Sequence, residues 1–581
     1  MTLFRDLLIE KKRRRYYCEV EYLQSSGTQY IDTGVVAKSG LSSVLNFEYT
    51  ALSYTASMLD ARSGNNRFYL CHAGAPSSTF YFYYGYGSAY QSSVVPTSNT
   101  KYLIETNLSV GTQSMKVNGT QILTGTDTTN YNLNANLYLF GMNYSTPQYL
   151  ASAKLYCCKI WDNGTLIRDF IPVLDWNMTP CMYDKVSGQL FYNAGSGNDF
   201  LYGREIHYVD YLESTGTQYI DTGVKLTNNH SVELDYQLTA TGQSRTGLFG
   251  ALNLTGTNQG RFGSILSPSN RYLEHGYGSG NDYWQQGSPD TQRHKIYQKK
   301  NELYFDGTLI HTFNTATFSL AMNAYLGNFV YTNYTPALAK YYSSKWWDGN
   351  TLVRDYKPAI DENGVCFWFD KVQHTIYDNA GTGLFKYPER ELEYIESTGT
   401  QYIDTGYVPN INTECSMNVA FTSLDTTYRT PFSVRTANSA SNSFTIMSAN
   451  SQQNNNSFAF GSTYWSGSVG LQITLNKITK AILKKDYAYW DGNTGNPGNS
   501  ITPTSLTAYM FARNANGTAS NFFKGRIYDC QLKENGTLVR DYIPCFKDGS
   551  SGMYDKANNV FYPNAGTGSL VCGKIVEPEY E

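Results

Sequence analysis

The stretch Glu21-Tyr22-Leu23-Gln24-Ser25-Ser26-Gly27-Thr28-Gln29-Tyr30-Ile31-Asp32-Thr33-Gly34 decides how this chain is read, because it returns twice, as Asp210 to Gly223 and as Glu393 to Gly406. A second block, Asn163-Gly164-Thr165-Leu166-Ile167-Arg168-Asp169-Phe170-Ile171-Pro172, returns from Gly349 to Pro358 and from Asn535 to Pro544, with its arginines 186 residues apart (354 − 168 and 540 − 354). A third block closes each copy: Tyr183-Asp184-Lys185 through Asn193-Ala194-Gly195, Phe369 through Gly381, and Tyr554 through Gly566. Solenoid units of about 20–50 residues need their neighbours to bury a core. A unit of this size buries its own. The sequence therefore predicts three independent beads of one fold: an arm over 1–16, domains over 17–204, 205–389 and 390–573, and a tail over 574–581.

The elements within each copy read as strands. Tyr (51) and Phe (28) are abundant alongside Val, Ile and Thr, and Gly, Asn and Ser interrupt them every few residues. That is the pattern of short strands and tight turns. Asn118-Gly119, Asp306-Gly307 and Asp491-Gly492 stand between alternating segments at similar places in the copies, and Asn163-Gly164 and Asn535-Gly536 mark a second hairpin. These dipeptides accept the positive φ of a two-residue hairpin turn. The fold class expected is all-β: three tandem jelly-roll β-sandwiches behind a short N-terminal arm.

Composition narrows the function classes. The chain is 41% hydrophobic and 16% charged, with net charge −3, which is globular rather than disordered. Nucleic-acid binding wants a basic field that this balance lacks. No apolar run is long enough for a membrane helix. The basic run Lys11 to Arg15 follows the apolar residues Leu3, Phe4, Leu7 and Leu8 instead of preceding them, the reverse of a secretory signal. Those four side chains suit one side of a short helix that docks on a partner protein; the alternative is a frayed, charged tail. Of the ten cysteines, Cys18, Cys71, Cys157 and Cys158 are read as having no counterparts in the other copies, and Cys530 and Cys545 as standing alone. The expectation is buried free thiols in a reducing cytoplasm rather than a disulfide framework.

The order of a Tyr-Ile-Asp-Thr-Gly strand, an Asn/Asp-Gly hairpin, the segments Tyr138–Gly141 and Lys159–Asp162, and the Gly-Thr-Leu-x-Arg-Asp block resembles concanavalin A-like, laminin-G-like jelly rolls. The Ser-Thr-Gly-Thr-Gln-Tyr-Ile-Asp-Thr-Gly and Tyr-Asp-Lys…Asn-Ala-Gly blocks are similar to repeats in structural proteins of gut bacteriophages and prophages, over about residues 17–573. The resemblance implies carbohydrate or surface binding, sometimes with calcium, and in one branch β-glucan hydrolysis. It implies a virion surface protein (fibre, appendage or decoration subunit), made in the host cytoplasm, that meets glycans of the bacterial surface or of mucus. Other virion proteins would be held by the arm, with no nucleic acid or membrane partner, and fibres of this kind are often homo-oligomers. The alternatives are a purely architectural role, as spacer or capsid cement, and a glucanase-type glycoside hydrolase.

Catalysis is not expected. The glucanase branch needs a Glu-x-Asp-x-Glu strand, which is absent, and none of the seven histidines recurs at an equivalent place. Asp32, Asp221 and Asp404, each before Thr-Gly, could serve calcium or cap a turn. The Arg-Asp pair of the second block reads as scaffold, since all copies share it. Ligand contact is expected instead from the aromatic centres, which differ between copies: Tyr81, Tyr83, Tyr84, Tyr86 and Tyr90 in the first; Tyr272, His275, Tyr277, Tyr283 and Trp284 in the second; Phe458, Phe460, Tyr464 and Trp465 in the third. Aromatic rings among Ser, Gly and Asn make a binding surface, although some of them must fill the core. Adjacent Tyr83 and Tyr84 must face opposite ways.

Overall fold

In the computed structural model, the structure describes residues 17–576 except 53–54, 73–78, 86–87, 244, 255–258, 268–271, 279–282, 425–427, 437–441, 449–454, 467–470, 502–504 and 548. The expected arm residues Leu3, Phe4, Leu7 and Leu8, and the candidate Tyr86, lie outside the described residues. The regular elements described are all strands, and among the described residues no helix is long and apolar enough to cross a membrane.

The strands form three pairs of sheets, each pair a β-sandwich. In the first, the larger sheet runs Thr120–Gly125, Thr112–Val117, Lys101–Ser109, Leu41–Tyr49, Ser152–Asp162, Thr165–Asp175, Pro180–Asp184, Gln189–Phe191. Leu41–Tyr49 thus lies between two strands far along the chain, because the chain crosses to the smaller sheet before returning on either side. His230–Leu238 and Thr413–Phe421 hold the same central place in the other two. The hairpin turns follow their chemistry: Asn118 and Gly119 have φ of 50° and 79°, and Asp306-Gly307 and Asp491-Gly492 repeat the geometry.

The recurring blocks turn out to be one hydrogen-bonded clasp. Gln29, Gln218 and Gln401 are buried, and each side-chain Oε1 accepts a backbone N–H of the corner before it, at 2.7–2.9 Å. The Thr33 hydroxyl donates to the Leu137 carbonyl at 2.7 Å, as Thr222 and Thr405 do to Ala324 and Ala508. Asn193 of the closing block accepts the Tyr30 N–H of the opening block, matched by Asn379–Tyr219 and Asn564–Tyr402. Asp32, Asp221 and Asp404 each cap the turn through the N–H two residues on. The arginine of the second block reaches a fully buried aspartate of the third: Arg168–Asp184 at 3.6 Å, Arg354–Asp370 at 3.6 Å and Arg540–Asp555 at 3.4 Å. The same aspartates accept the N–H of Asp169, Asp355 and Asp541. This is the scaffold role expected of the Arg-Asp block.

The chain separates into two compact units, 1–386 and 387–581. Within the first, the two sandwiches are not independent beads. Arg204 makes a two-pronged bond to Asp378 (2.8 and 3.0 Å), Asn46 donates to the Gln373 carbonyl at 2.6 Å, and Tyr208 donates to Glu19 at 2.9 Å. The described cysteines are free thiols, mostly buried. One expectation about them is corrected. Cys158 and Cys530 do correspond, since each pairs with the aromatic that follows Arg-Asp (Phe170 and Tyr542), while Ser344 takes the place opposite Tyr356.

Candidate functional site

Strand alternation sorts the aromatic centres into two faces of the smaller sheet. In the first sandwich Phe68 pairs with Tyr84 and Tyr69 with Tyr83. Phe68 and Tyr84 are fully buried and meet edge to face at 5.2 Å, so that register faces the core and the next faces out. In the second sandwich Phe262 pairs with Tyr277, and in the third Phe444 pairs with Phe460. These three pairs occupy one structural position.

Several expected ligand contacts are corrected by this register. Tyr84, His275, Tyr277, Phe458 and Phe460 are 3% exposed or less and lie inside the sandwich. The Tyr84 hydroxyl is held by Ser39 and the Thr129 carbonyl, and that of Tyr277 by the Asn228 carbonyl. Tyr90 shares the inward register, opposite Phe82, and packs on the core. Trp465 stacks on Phe458 at 5.5 Å, and Trp284 lies between His275 and His311, at 6.3 and 5.1 Å. His275 bonds Ser264 through Nδ1 at 2.8 Å and Gln286 through Nε2 at 3.1 Å. This Ser–His pair sits at 0% exposure. It is a satisfied core network, and burial pushes the imidazole down to about 4.

The outward register holds one ring predicted from sequence in each sandwich, Tyr83, Tyr283 and Tyr464, and in the first two sandwiches the ring meets an arginine that sequence reading missed. Arg67 lies over Tyr83 at 5.5 Å, and Arg62 over Tyr144 at 4.5 Å. Tyr81 pairs with Gln91 along the backbone, and its side chain lies outside the described residues. The second sandwich has the fullest arrangement. Arg261, equivalent to Arg67, lies over Tyr283 at 5.0 Å and over Phe329 at 5.8 Å. Its guanidinium pairs with Glu274 at 3.4 Å, and Gln285 donates to the other carboxylate oxygen at 3.0 Å. Tyr334 packs on Phe329 and Tyr331 at 5.6 and 6.1 Å. Tyr283 and Tyr331 are 44% and 40% exposed, and Tyr272, before the strand, is 36% exposed. A buried ion pair thus lies against the half-open ring of Tyr283, with Tyr331 exposed beyond Tyr334. In the third sandwich Arg513 donates to Ser520, and burial with nearby Arg435 lowers its pKa.

The signal that would have found this face is the dipeptide Arg67-Phe68 and its copy Arg261-Phe262. A phenylalanine anchored in the core turns the preceding arginine outward. A separate polar cleft of about 420 Å³ in the first sandwich is lined by Lys38, Asn130, Asn132 and Asn163, among others.

Comparison with known proteins finds no matching family model and no matching curated protein. Among solved structures, the chain is similar to domains LG4-5 of the mouse laminin alpha1 chain at 13% identity and TM-score 0.23, over 58% of this chain and 92% of that one. It is similar to the LG1-3 region of the laminin alpha2 chain at 10% identity and TM-score 0.27, over 96% and 100%. It is similar to the NanB sialidase of Streptococcus pneumoniae at 10% identity and TM-score 0.20, over 94% and 99%. The fold described here rests on the strand order itself: an all-β chain of tandem two-sheet sandwiches.

Proposed function

We propose that this is a bacteriophage virion surface protein, a fibre, appendage or decoration subunit, that binds glycans of the bacterial surface or of mucus through the outward faces of its smaller sheets. The observation that carries the glycan reading is the second sandwich's cluster of Arg261, Glu274, Gln285, Tyr283 and Tyr331. Sugars offer C–H faces to tyrosine rings and hydroxyls to fixed donors and acceptors, and this face supplies both around a desolvated ion pair. Because the cluster differs in each sandwich, the three domains share a scaffold without sharing a ligand. Weak sites in one chain gain by acting together. The virion placement is supported by the resemblance of the recurring blocks, with the arm residues Leu3, Phe4, Leu7 and Leu8 docking on other virion proteins, and the reading includes no catalysis.

A glycan array probed with the intact protein and with Tyr283→Ala tests it. Binding by the former, weakened in the latter, is the expected result; no binding to any glycan or host cell would sink the lectin reading and leave the architectural one. Imaging labelled particles tests the virion placement separately.

A further inference from the structure

Where the first sandwich passes into the second, three side chains of different chemistry converge. Cys18 Sγ lies 3.9 Å from Glu205 Oε2, His207 Nε2 lies 2.9 Å from the same oxygen, and the three atoms are all within 4.8 Å of one another. We propose that Cys18, Glu205 and His207 hold a zinc-like divalent cation that staples the opening strands of the two sandwiches together.

The donor set is the first argument. Thiolate, carboxylate and imidazole are the three protein ligands zinc takes, at about 2.3, 2.0–2.2 and 2.0–2.1 Å. Tetrahedral bonds of those lengths place sulfur about 3.6 Å and nitrogen about 3.4 Å from the carboxylate oxygen. The observed separations differ from these by about half an ångström or less, within reach of side-chain adjustment.

Placement is the second argument. Each ligand is fixed by backbone pairing rather than carried on a free loop. Cys18 sits on Tyr17–Glu19, opposite Leu174 of the first sandwich. His207 sits on His207–Tyr208, opposite Ile360 of the second. Glu205 lies between them, bridged to Val20, and its own N–H donates to Glu362 at 3.1 Å. The Ile206 N–H donates to the Glu19 carbonyl at 2.9 Å. Sites built on paired strands hold their ligands at fixed distances. Cys18 and His207 occupy equivalent places in their sandwiches, and Arg390, opposite Phe546, fills that place in the third. The copies have therefore diverged at one position into two metal ligands and one cation. Cys18 and Glu205 are half-buried and His207 is buried, which leaves an approach from solvent for the ion and a water as its fourth ligand.

Cobalt(II) titration of the intact, reduced protein tests the proposal. One equivalent should bind with a thiolate-to-cobalt charge-transfer band and the intense visible bands of tetrahedral coordination, and zinc should displace it. Cys18→Ser should abolish the charge-transfer band, and His207→Gln should weaken binding tenfold or more. Failure to bind one equivalent overturns the proposal, as does a charge-transfer band that survives in Cys18→Ser or unchanged affinity in His207→Gln. If Cys18→Ser does not fold, His207→Gln decides the matter alone. In the first case the three groups are a hydrogen-bonded cluster only. None of these results depends on whether the protein binds glycans.

Discussion

His374 of the second sandwich donates its Nε2 proton to the Val20 carbonyl of the first at 2.8 Å, across a seam in which His374 itself is 2% exposed. Its ring meets Phe369 edge-on at 4.8 Å. Burial pushes this imidazole down to about 3, with Lys185, Lys101 and Lys371 adding to the effect. His275 is pushed down to about 4 in the same way.

An unfolded histidine titrates near 6.5. Between that value and the depressed folded ones, the unfolded chain binds protons that the folded chain refuses. Stability is therefore complete above about pH 6.5 and falls as pH drops toward 4, by on the order of 3 kcal/mol for each of the two histidines. His294, raised by Asp306 and Asp290, contributes the opposite sign, but it is exposed to solvent screening at the surface. All seven histidines lie before residue 387. Calorimetry between pH 7 and pH 4.5 should show the transition of unit 1–386 falling by more than that of unit 387–581. His374→Gln should flatten the difference, and equal acid sensitivity in both units would contradict the assignment.

The buried arginine–aspartate pair should be costly to break. Asp555 accepts the Asp541 and Ala557 N–H groups and faces Arg540. Asp555→Ala leaves half-buried Arg540 without its carboxylate and the Asp541 and Ala557 N–H groups without an acceptor, for about 1–3 kcal/mol. Asp555→Asn keeps an acceptor and costs less. Urea unfolding of unit 387–581 should show the loss, with the other unit unchanged.

Two tyrosines in one sandwich wall separate binding from folding. Tyr283→Ala removes a half-open ring and should weaken glycan binding about threefold to tenfold, while the lost contact with Arg261 costs only about 0.5–1 kcal/mol of stability. Tyr277→Phe removes the buried hydroxyl that donates to the Asn228 carbonyl and should cost about 1 kcal/mol of stability while leaving binding intact. Array binding and thermal melts on both variants check the assignment of faces.

Gly250 and Gly263 lie opposite one another in the smaller sheet of the second sandwich, at φ of 116° and 133°. A Cβ on either would meet a backbone carbonyl oxygen at 2.1 Å. Gly263→Ala should therefore cost more than about 2 kcal/mol, through both strain and collision. It should also disturb the neighbouring Arg261–Glu274 face. A circular-dichroism melt that matches the unsubstituted protein would show that the strands can part without loss.

Turns and strands were legible in the sequence because their chemistry is local. Asn118-Gly119 announces its own positive φ, and Thr33, Gln29 and Asn193 recur because they form one clasp. The phase of the aromatic runs was not legible. Whether Tyr83 or Tyr84 faces out depends on its pairing with Tyr69 and Phe68, residues on another strand. Arg261 went unnoticed for the same reason: an isolated arginine gives no sign of the Glu274 and Tyr283 that surround it. The seam between the first two sandwiches was equally hidden. It is built by Gln373, His374 and Thr375, a turn whose sequence shows only that the chain reverses. The correspondence of Cys158 with Cys530 was obscured by the adjacent Cys157.

The clasp has a consequence for how such a chain can change. In the first copy, Leu23–Ser26 pairs with Leu201–Tyr202, and in the third, Ile395–Thr398 pairs with Val571–Cys572. The second brings Glu213 against Lys386. Entry and exit of every copy therefore lie side by side on adjacent strands. A gene segment encoding one copy is a cassette: it can be duplicated, removed or exchanged at a single short join without rethreading either neighbour.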